Sequence, residues 1–162
     1  RGFYYRGLYS ARFDENLRSL IIESSENIEE NRLLGLNSSV FFREIIRLPK
    51  NVGDTLYHLN ELGILKIILP EYKDLNGFFQ PGVYHHYTAD EHTIVEIKNV
   101  EKLQNEETLL GRLYTGLKEK DILFLALIFH DVAKPISISG HEILGSEIPA
   151  FAASAFFNNA VL

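Results

Sequence analysis

The chain has 162 residues, 46% hydrophobic and 23% charged, which is the balance of one globular domain with its own core and not of a disordered or fibrous chain. A net charge of −6 without any cluster of Lys and Arg argues against a nucleic-acid surface, because such surfaces draw their affinity from cations gathered on phosphates. Cysteine is absent, which removes disulfides and thiolate ligands and leaves His, Asp and Glu as the side chains able to hold a metal.

The longest apolar run, Ile122 to Phe129, falls well short of the roughly 20 residues that span a bilayer. The aromatics, Gly and Arg at the start do not form a signal peptide. A cytoplasmic protein without membrane contact is expected. Methionine is missing, and with Arg1 at one end and Leu162 at the other the chain reads as a piece of a longer protein.

Helical spacing dominates throughout. Phe13, Leu17, Leu20, Ile21, Ile28 and Leu33 outline a first helix with an inward stripe interrupted by Ser24 and Ser25. Ser38 and Ser39 are placed to cap a second, through Phe41, Phe42, Ile45 and Ile46, stopping near Pro49. A third carries Val52, Leu56, Leu59 and Leu62 to Gly63, the residue best suited to a left-handed C-terminal position. Ile64 to Leu69 reads as a short buried helical turn closed by Pro70.

From Glu71 to Tyr87 the pattern becomes a loop, with Asn76-Gly77 and Pro81-Gly82 as turn signals and enough aromatics to pack. Thr88 and Glu91 have capping-box spacing, which starts a helix with His92 in its first turn and Ile94, Ile97, Val100 and Leu103 following. Another helix is expected from Glu106 to Leu117. Asp121 to Val132, apolar nearly all round, should be central. A last helix from His141 to Phe157 should kink at Pro149. No strand alternation competes, so the fold class is all-α. Residues 1–50 form a helical lead segment, and 51–162 a helical core incomplete at its C-terminal end.

Chemistry concentrates near the end of the apolar helix. His130-Asp131 is costly to bury unless something pairs with it, and a bound cation is one remedy. The alternative is a surface pair with Lys134 as salt-bridge partner. Histidines crowd this half of the chain, and imidazole with carboxylate suits a first-row divalent metal. His85 and His86 are adjacent and do not easily share one small site, so one of them is structural or supports a ligand from behind. His58 reads as an ordinary, partly exposed histidine.

Three stretches carry a resemblance: Tyr84-His85-His86-Tyr87-Thr88-Ala89-Asp90-Glu91-His92-Thr93, then Leu127-Ile128-Phe129-His130-Asp131-Val132-Ala133-Lys134, then Gly140-His141-Glu142-Ile143-Leu144-Gly145. In order and spacing they resemble the HD superfamily of metal-dependent phosphohydrolases. Most closely they are similar to the HD domain of bacterial PII-protein uridylyltransferase/uridylyl-removing enzymes. Leu62-Gly63-Ile64-Leu65 and Leu69-Pro70-Glu71 extend the likeness upstream. The resemblance implies an HD-type helical bundle in which His92, His130 and Asp131 ligate a divalent metal (Mn, Mg, Fe or Zn) and Lys134 faces a phosphoryl group. His141 would contact substrate or a second metal, and His85 would contact substrate. The implied reaction is hydrolysis, by metal-activated water, of the phosphodiester joining a nucleotide to a PII-like signalling protein.

Two departures qualify the likeness. HD domains close the site with a later aspartate, whereas after Asp131 the only acids are Glu142 and Glu147, so the domain is expected to continue past Leu162. Pro81 and Gly82 stand where the uridylyl-removing enzymes usually carry His-Asp, and the nucleotidyltransferase motifs are missing. Two other readings remain: a different HD nucleotidase or phosphodiesterase, and a non-catalytic helical regulatory or interaction module.

Overall fold

Helix α1 (Gly2–Tyr9), which the sequence pattern does not announce, is ended by Ser10 in the left-handed region at φ 53°. A computed structural model of the chain describes residues 1–31, 36–79 and 87–135. The other helices are α2 (Glu15–Asn31), α3 (Leu36–Ile46), α4 (Val52–Glu61), α5 (Leu65–Ile68), α6 (Ala89–Lys102), α7 (Leu109–Gly116) and α8 (Lys120–Phe129). Short 3-10 turns at Pro70–Leu75 and Leu103–Asn105 complete the set, and no strand occurs among the described residues. The fold is all-α. None of these helices is long and apolar enough to cross a membrane.

The core is built from Phe42, Ile45 and Ile46 of α3, Val52, Leu56 and Leu59 of α4, Ile97 of α6, and Phe124, Leu125, Ile128 and Phe129 of α8. Each such side chain, fully buried, contributes about 1.5–3 kcal/mol. α4 and α6 form the main packed pair, and α8 lies against both α6 and α3. Close approach of α4 to α6 requires Gly53, because a Cβ there would stand 2.6 Å from Lys98 Cγ and 3.0 Å from the Lys98 backbone nitrogen. The Glu101 carboxylate then caps α4 from outside, accepting from the Val52 N–H at 2.8 Å and the Gly53 N–H at 2.7 Å. It thereby satisfies amides that the helix itself leaves open.

Several expectations are corrected. The stripe on α2 does not face inward: Leu17, Leu20 and Ile28 are exposed, while the interrupting Ser25 is the buried residue. α2 meets the bundle at α5, and the short Ser25 side chain admits Gly63, whose φ of +71° ends α4's connection as anticipated. Ser38 and Ser39 lie inside α3, which begins at Leu36, and do not cap it. Pro70 opens a 3-10 turn that carries the buried Tyr72 and Leu75, so the start of the expected loop is ordered. α7 starts at Leu109, later than expected, where the Thr108 hydroxyl accepts from the Gly111 N–H at 3.1 Å. α8 is central as expected, with Phe124, Leu125, Ile128 and Phe129 in the core, although Ile122 on its outer side is half exposed. The expected last helix, 141–157, lies outside the described residues.

The lead helices are not detached from the rest of the bundle. α1 packs on α4 and α3, Arg6 pairs with Asp54 at 2.8 Å, and Asn51 Nδ2 donates to the Gly7 carbonyl at 2.9 Å.

Candidate metal centre

The first turn of α6 is fixed from two sides. Glu91 accepts from the Thr88 N–H at 3.1 Å, as the capping-box spacing anticipates. Asp90, 3% exposed, accepts from Asn60 Nδ2 at 2.7 Å, Asn76 Nδ2 at 3.2 Å and the Gly77 N–H at 3.0 Å. The Tyr72 hydroxyl donates to the Asp90 carbonyl at 3.1 Å. Burial first, and then the Asp90 charge, push that phenol's pKa well above its usual range. These bonds tie the turn at residues 76 and 77, and α4 behind it, to the point where α6 begins. One residue past the N-terminal Ala89-Asp90-Glu91 run stands His92, and one turn later, on the same face, Glu96.

The other half comes from the end of α8. Phe129, Val132 and Ala133 are buried and draw the chain inward as the helix stops. The intervening Asp131 is thereby carried to 3% exposure, whereas His130 stays at the rim. His130 Nδ1 stands 2.7 Å from the Leu127 carbonyl. A carbonyl can only accept, so Nδ1 carries the proton and Nε2 is the nitrogen left to face the site.

One ligand atom each from His92, His130 and Asp131 lies within 4.8 Å of the others. His130 Nε2 is 3.2 Å from Asp131 Oδ2 and 3.3 Å from Glu96 Oε2, and His92 Nε2 is 3.1 Å from Glu96 Oε1. Lys134 Nζ donates to Asp131 Oδ2 at 2.5 Å. The salt bridge considered from sequence is thus present, but around a buried carboxylate and not at the surface.

The charges respond accordingly. Burial alone would raise the Asp131 carboxyl, yet the hydrogen bonds and charges of His130 and Lys134 outweigh it and bring the group down to about 2. His130 is raised, chiefly by its hydrogen bond to Asp131, against the opposing effect of burial. Asp131 is therefore an anion throughout the neutral range, held where water is scarce. Its charge is matched by Lys134 and His130, and the same carboxylate is available to a cation.

The donor set fits a divalent metal. Two imidazoles and a carboxylate converge, and the Leu127 carbonyl orients one ring as backbone acceptors commonly orient metal-binding histidines. Glu96 was not singled out by sequence. Its signal was the four-residue step from His92, which puts two potential ligands on one helical face. His85 and His141 fall outside the described residues. His58 is engaged with Glu61 at 3.0 Å, away from the cluster.

The chain is 31% identical over 133 residues to the bifunctional uridylyltransferase/uridylyl-removing enzyme of Acinetobacter baylyi, a match covering 79% of this chain and 15% of that protein. With the enzyme of the same description from Hydrogenovibrio crunogenus it shares 36% identity over 116 residues, covering 68% of this chain and 13% of the relative. The chain is homologous to one segment of the uridylyltransferase/uridylyl-removing enzymes. It spans about 15% of the length of the curated relatives it matches. No family model and no solved structure matches. The bifunctional enzyme of Cereibacter sphaeroides, 30% identical, matches 87% of this chain, so much of it that the shared stretch necessarily includes His92, His130, Asp131 and Lys134.

Proposed function

We propose that this chain carries a metal-dependent phosphohydrolase centre of the HD type, and that its substrate is a nucleotidyl group in phosphodiester linkage to a PII-like signalling protein. The observation that carries the reading is the convergence of His92, His130 and Asp131 within 4.8 Å, with the proton of His130 committed to the Leu127 carbonyl. The uridylyl-removing activity named in the relatives supplies the substrate class. Residues 51–162 form the hydrolytic unit and 1–50 its lead segment.

In this reading His92, His130 and Asp131 hold the cation, which when bound supplies Lewis acidity toward a phosphoryl oxygen and an activated water nucleophile. The protein's own part is to keep Asp131 ionised, to hold the His130 ring with Nε2 turned inward, and to present one positive side chain beside the reacting group. Lys134 fills the last role. Its ammonium neutralises Asp131, and with a cation in the site the same group would be free to meet a phosphate oxygen as a point charge. His85 and His141 are proposed as further substrate contacts.

The test is Mn²⁺ uptake, and Mn²⁺-dependent hydrolysis of a generic phosphodiester and of uridylylated PII protein, by the chain and by His130→Ala. The expected result is metal-dependent turnover that falls by about 100-fold or more in the variant. A folded chain that takes up no metal would overturn the reading.

A further inference from the structure

Glu96 is the residue around the cluster that the proposed centre leaves without a task. Its Oε2 is buried and receives no hydrogen bond, although His130 Nε2 stands 3.3 Å away. A carboxylate oxygen withdrawn from water and given no donor loses hydration without replacement. Its other oxygen, Oε1, lies 3.1 Å from His92 Nε2.

Which nitrogens it meets decides between two roles. A carboxylate that supports a metal-binding histidine from behind engages the ring nitrogen turned away from the metal. At His130 that nitrogen, Nδ1, is already taken by the Leu127 carbonyl, and Glu96 is on the other side, at Nε2. Glu96 therefore stands in front of the His130 ring, where a cation would be.

The spacings agree. Around a divalent ion with bonds near 2.1 Å, adjacent ligand atoms stand roughly 3.0 to 3.4 Å apart in octahedral or tetrahedral geometry. The contacts His92 Nε2 to Glu96 Oε1, Glu96 Oε2 to His130 Nε2, and His130 Nε2 to Asp131 Oδ2 measure 3.1, 3.3 and 3.2 Å. His92 and Glu96, four residues apart on α6, project from one face, the helical step that pairs ligands in other metal sites.

Resting on the metal centre proposed for His92, His130 and Asp131, we propose that Glu96 is itself a ligand, so that α6 supplies two donors and the site is a two-histidine, two-carboxylate centre for a first-row divalent cation. This carboxylate lies upstream of the His130-Asp131 pair and is distinct from the later aspartate that the family resemblance implies. Two anions balance a dication, and such mixed imidazole and carboxylate ligation suits Mn²⁺ or Fe²⁺ as well as Zn²⁺.

Co²⁺ serves as the probe, because its visible absorption reports ligand number and type. It is titrated into the 162-residue chain, Glu96→Gln, Glu96→Asp and His130→Ala, each checked for helix content by far-ultraviolet circular dichroism. Glu96→Gln should weaken Co²⁺ binding by about 10-fold or more and alter the absorption bands. Glu96→Asp, which keeps the charge but shortens the reach, should fall between Gln and the parent, and serves alone if the Gln variant does not fold. Parent-like affinity and spectrum in both Glu96 variants, with binding lost in His130→Ala, overturn the role of Glu96 and leave the metal centre standing. Undiminished binding in His130→Ala overturns the centre itself and this inference with it.

Discussion

Exchanging the acid of Asp90 for its amide tests how the start of α6 is held. Asp90 Oδ2 accepts from Asn60 and Asn76, and Oδ1 from the Gly77 N–H. In Asp90→Asn one of the two positions becomes an NH₂ group. Whichever way the amide turns, it meets at least one donor head-on, in a site that is 3% exposed. Leaving a buried donor unmatched costs about 1–3 kcal/mol, and the loss of charge from the remaining bonds adds to it, so the variant should lose about 2–3 kcal/mol. For a chain of this length that is a fall in Tm of about 4–12 °C. The decisive partner is Asn60→Asp. In the double variant the amide at position 90 donates to the carboxylate at 60, its oxygen still accepts from Gly77, and Asn76, already 3.1 Å from the position-60 side chain, donates there too. Of the two bonds lost in Asp90→Asn, the one between positions 60 and 90 returns with its direction reversed, the bonds from Gly77 and from Asn76 to position 60 are kept, and the negative charge is restored at position 60. Denaturant and thermal unfolding of the parent, both single variants and the double should therefore show the double recovering more than half of the loss. A double variant no more stable than Asp90→Asn would refute the argument that donor and acceptor matching sets the energy here.

Two further outcomes are expected from the packing beneath the site. At Gly53, a valine side chain cannot fit between α4 and Lys98, so Gly53→Val should destabilise by about 1–3 kcal/mol in urea unfolding, and unchanged stability would mean that the helices are not in the close contact described. The Asp54 carboxyl is lowered because the hydrogen bond and charge of Arg6 outweigh the effect of burial. A group with a lowered folded pKa adds stability above its ordinary value of 3.8 and loses it as pH falls through the folded value. Thermal melts between pH 5 and 2.5 should show Asp54→Asn with a flatter acid limb than the parent, modestly so because Asp54 is half exposed; parallel curves would sink the assignment.

The parts of the fold that were legible in sequence are those decided locally. Capping at Thr88 and Glu91, the left-handed Gly63 and the apolar spacing of α4 are set by residues within one or two turns of each other, and periodicity reads them directly. α1 was missed because its stability comes from Arg6 and Asn51 bonds reaching to and from α4, more than 40 residues away. The stripe of α2 was misread for the same reason. Its apolar residues obey helical spacing, but the partner surface, α5 with Gly63, is small and selects Ser25.

Glu96 shows where the limit lies in the site itself. His92, His130 and Asp131, which converge in the structure, stand out in the sequence because their order and spacing resemble a family pattern, and pattern matching reports only what the pattern contains. Glu96 differs from other acids on α6 in two facts, one local and one not. The local fact, four residues after His92, was available, but Glu101 and Asp90 are also acids on that helix and serve quite different ends, one capping α4 and the other holding the turn at 76 and 77. The second fact is that α8 ends against this face, so that His130 Nε2 arrives within 3.3 Å of Glu96 Oε2. Only the crossing of α6 and α8 separates the acid that faces His130 from those that cap a helix or hold a turn among the four carboxylates of α6, Asp90, Glu91, Glu96 and Glu101. That crossing depends on side chains from Phe124 to Ala133 choosing the core over solvent, a decision made by the whole bundle and not by any window of sequence.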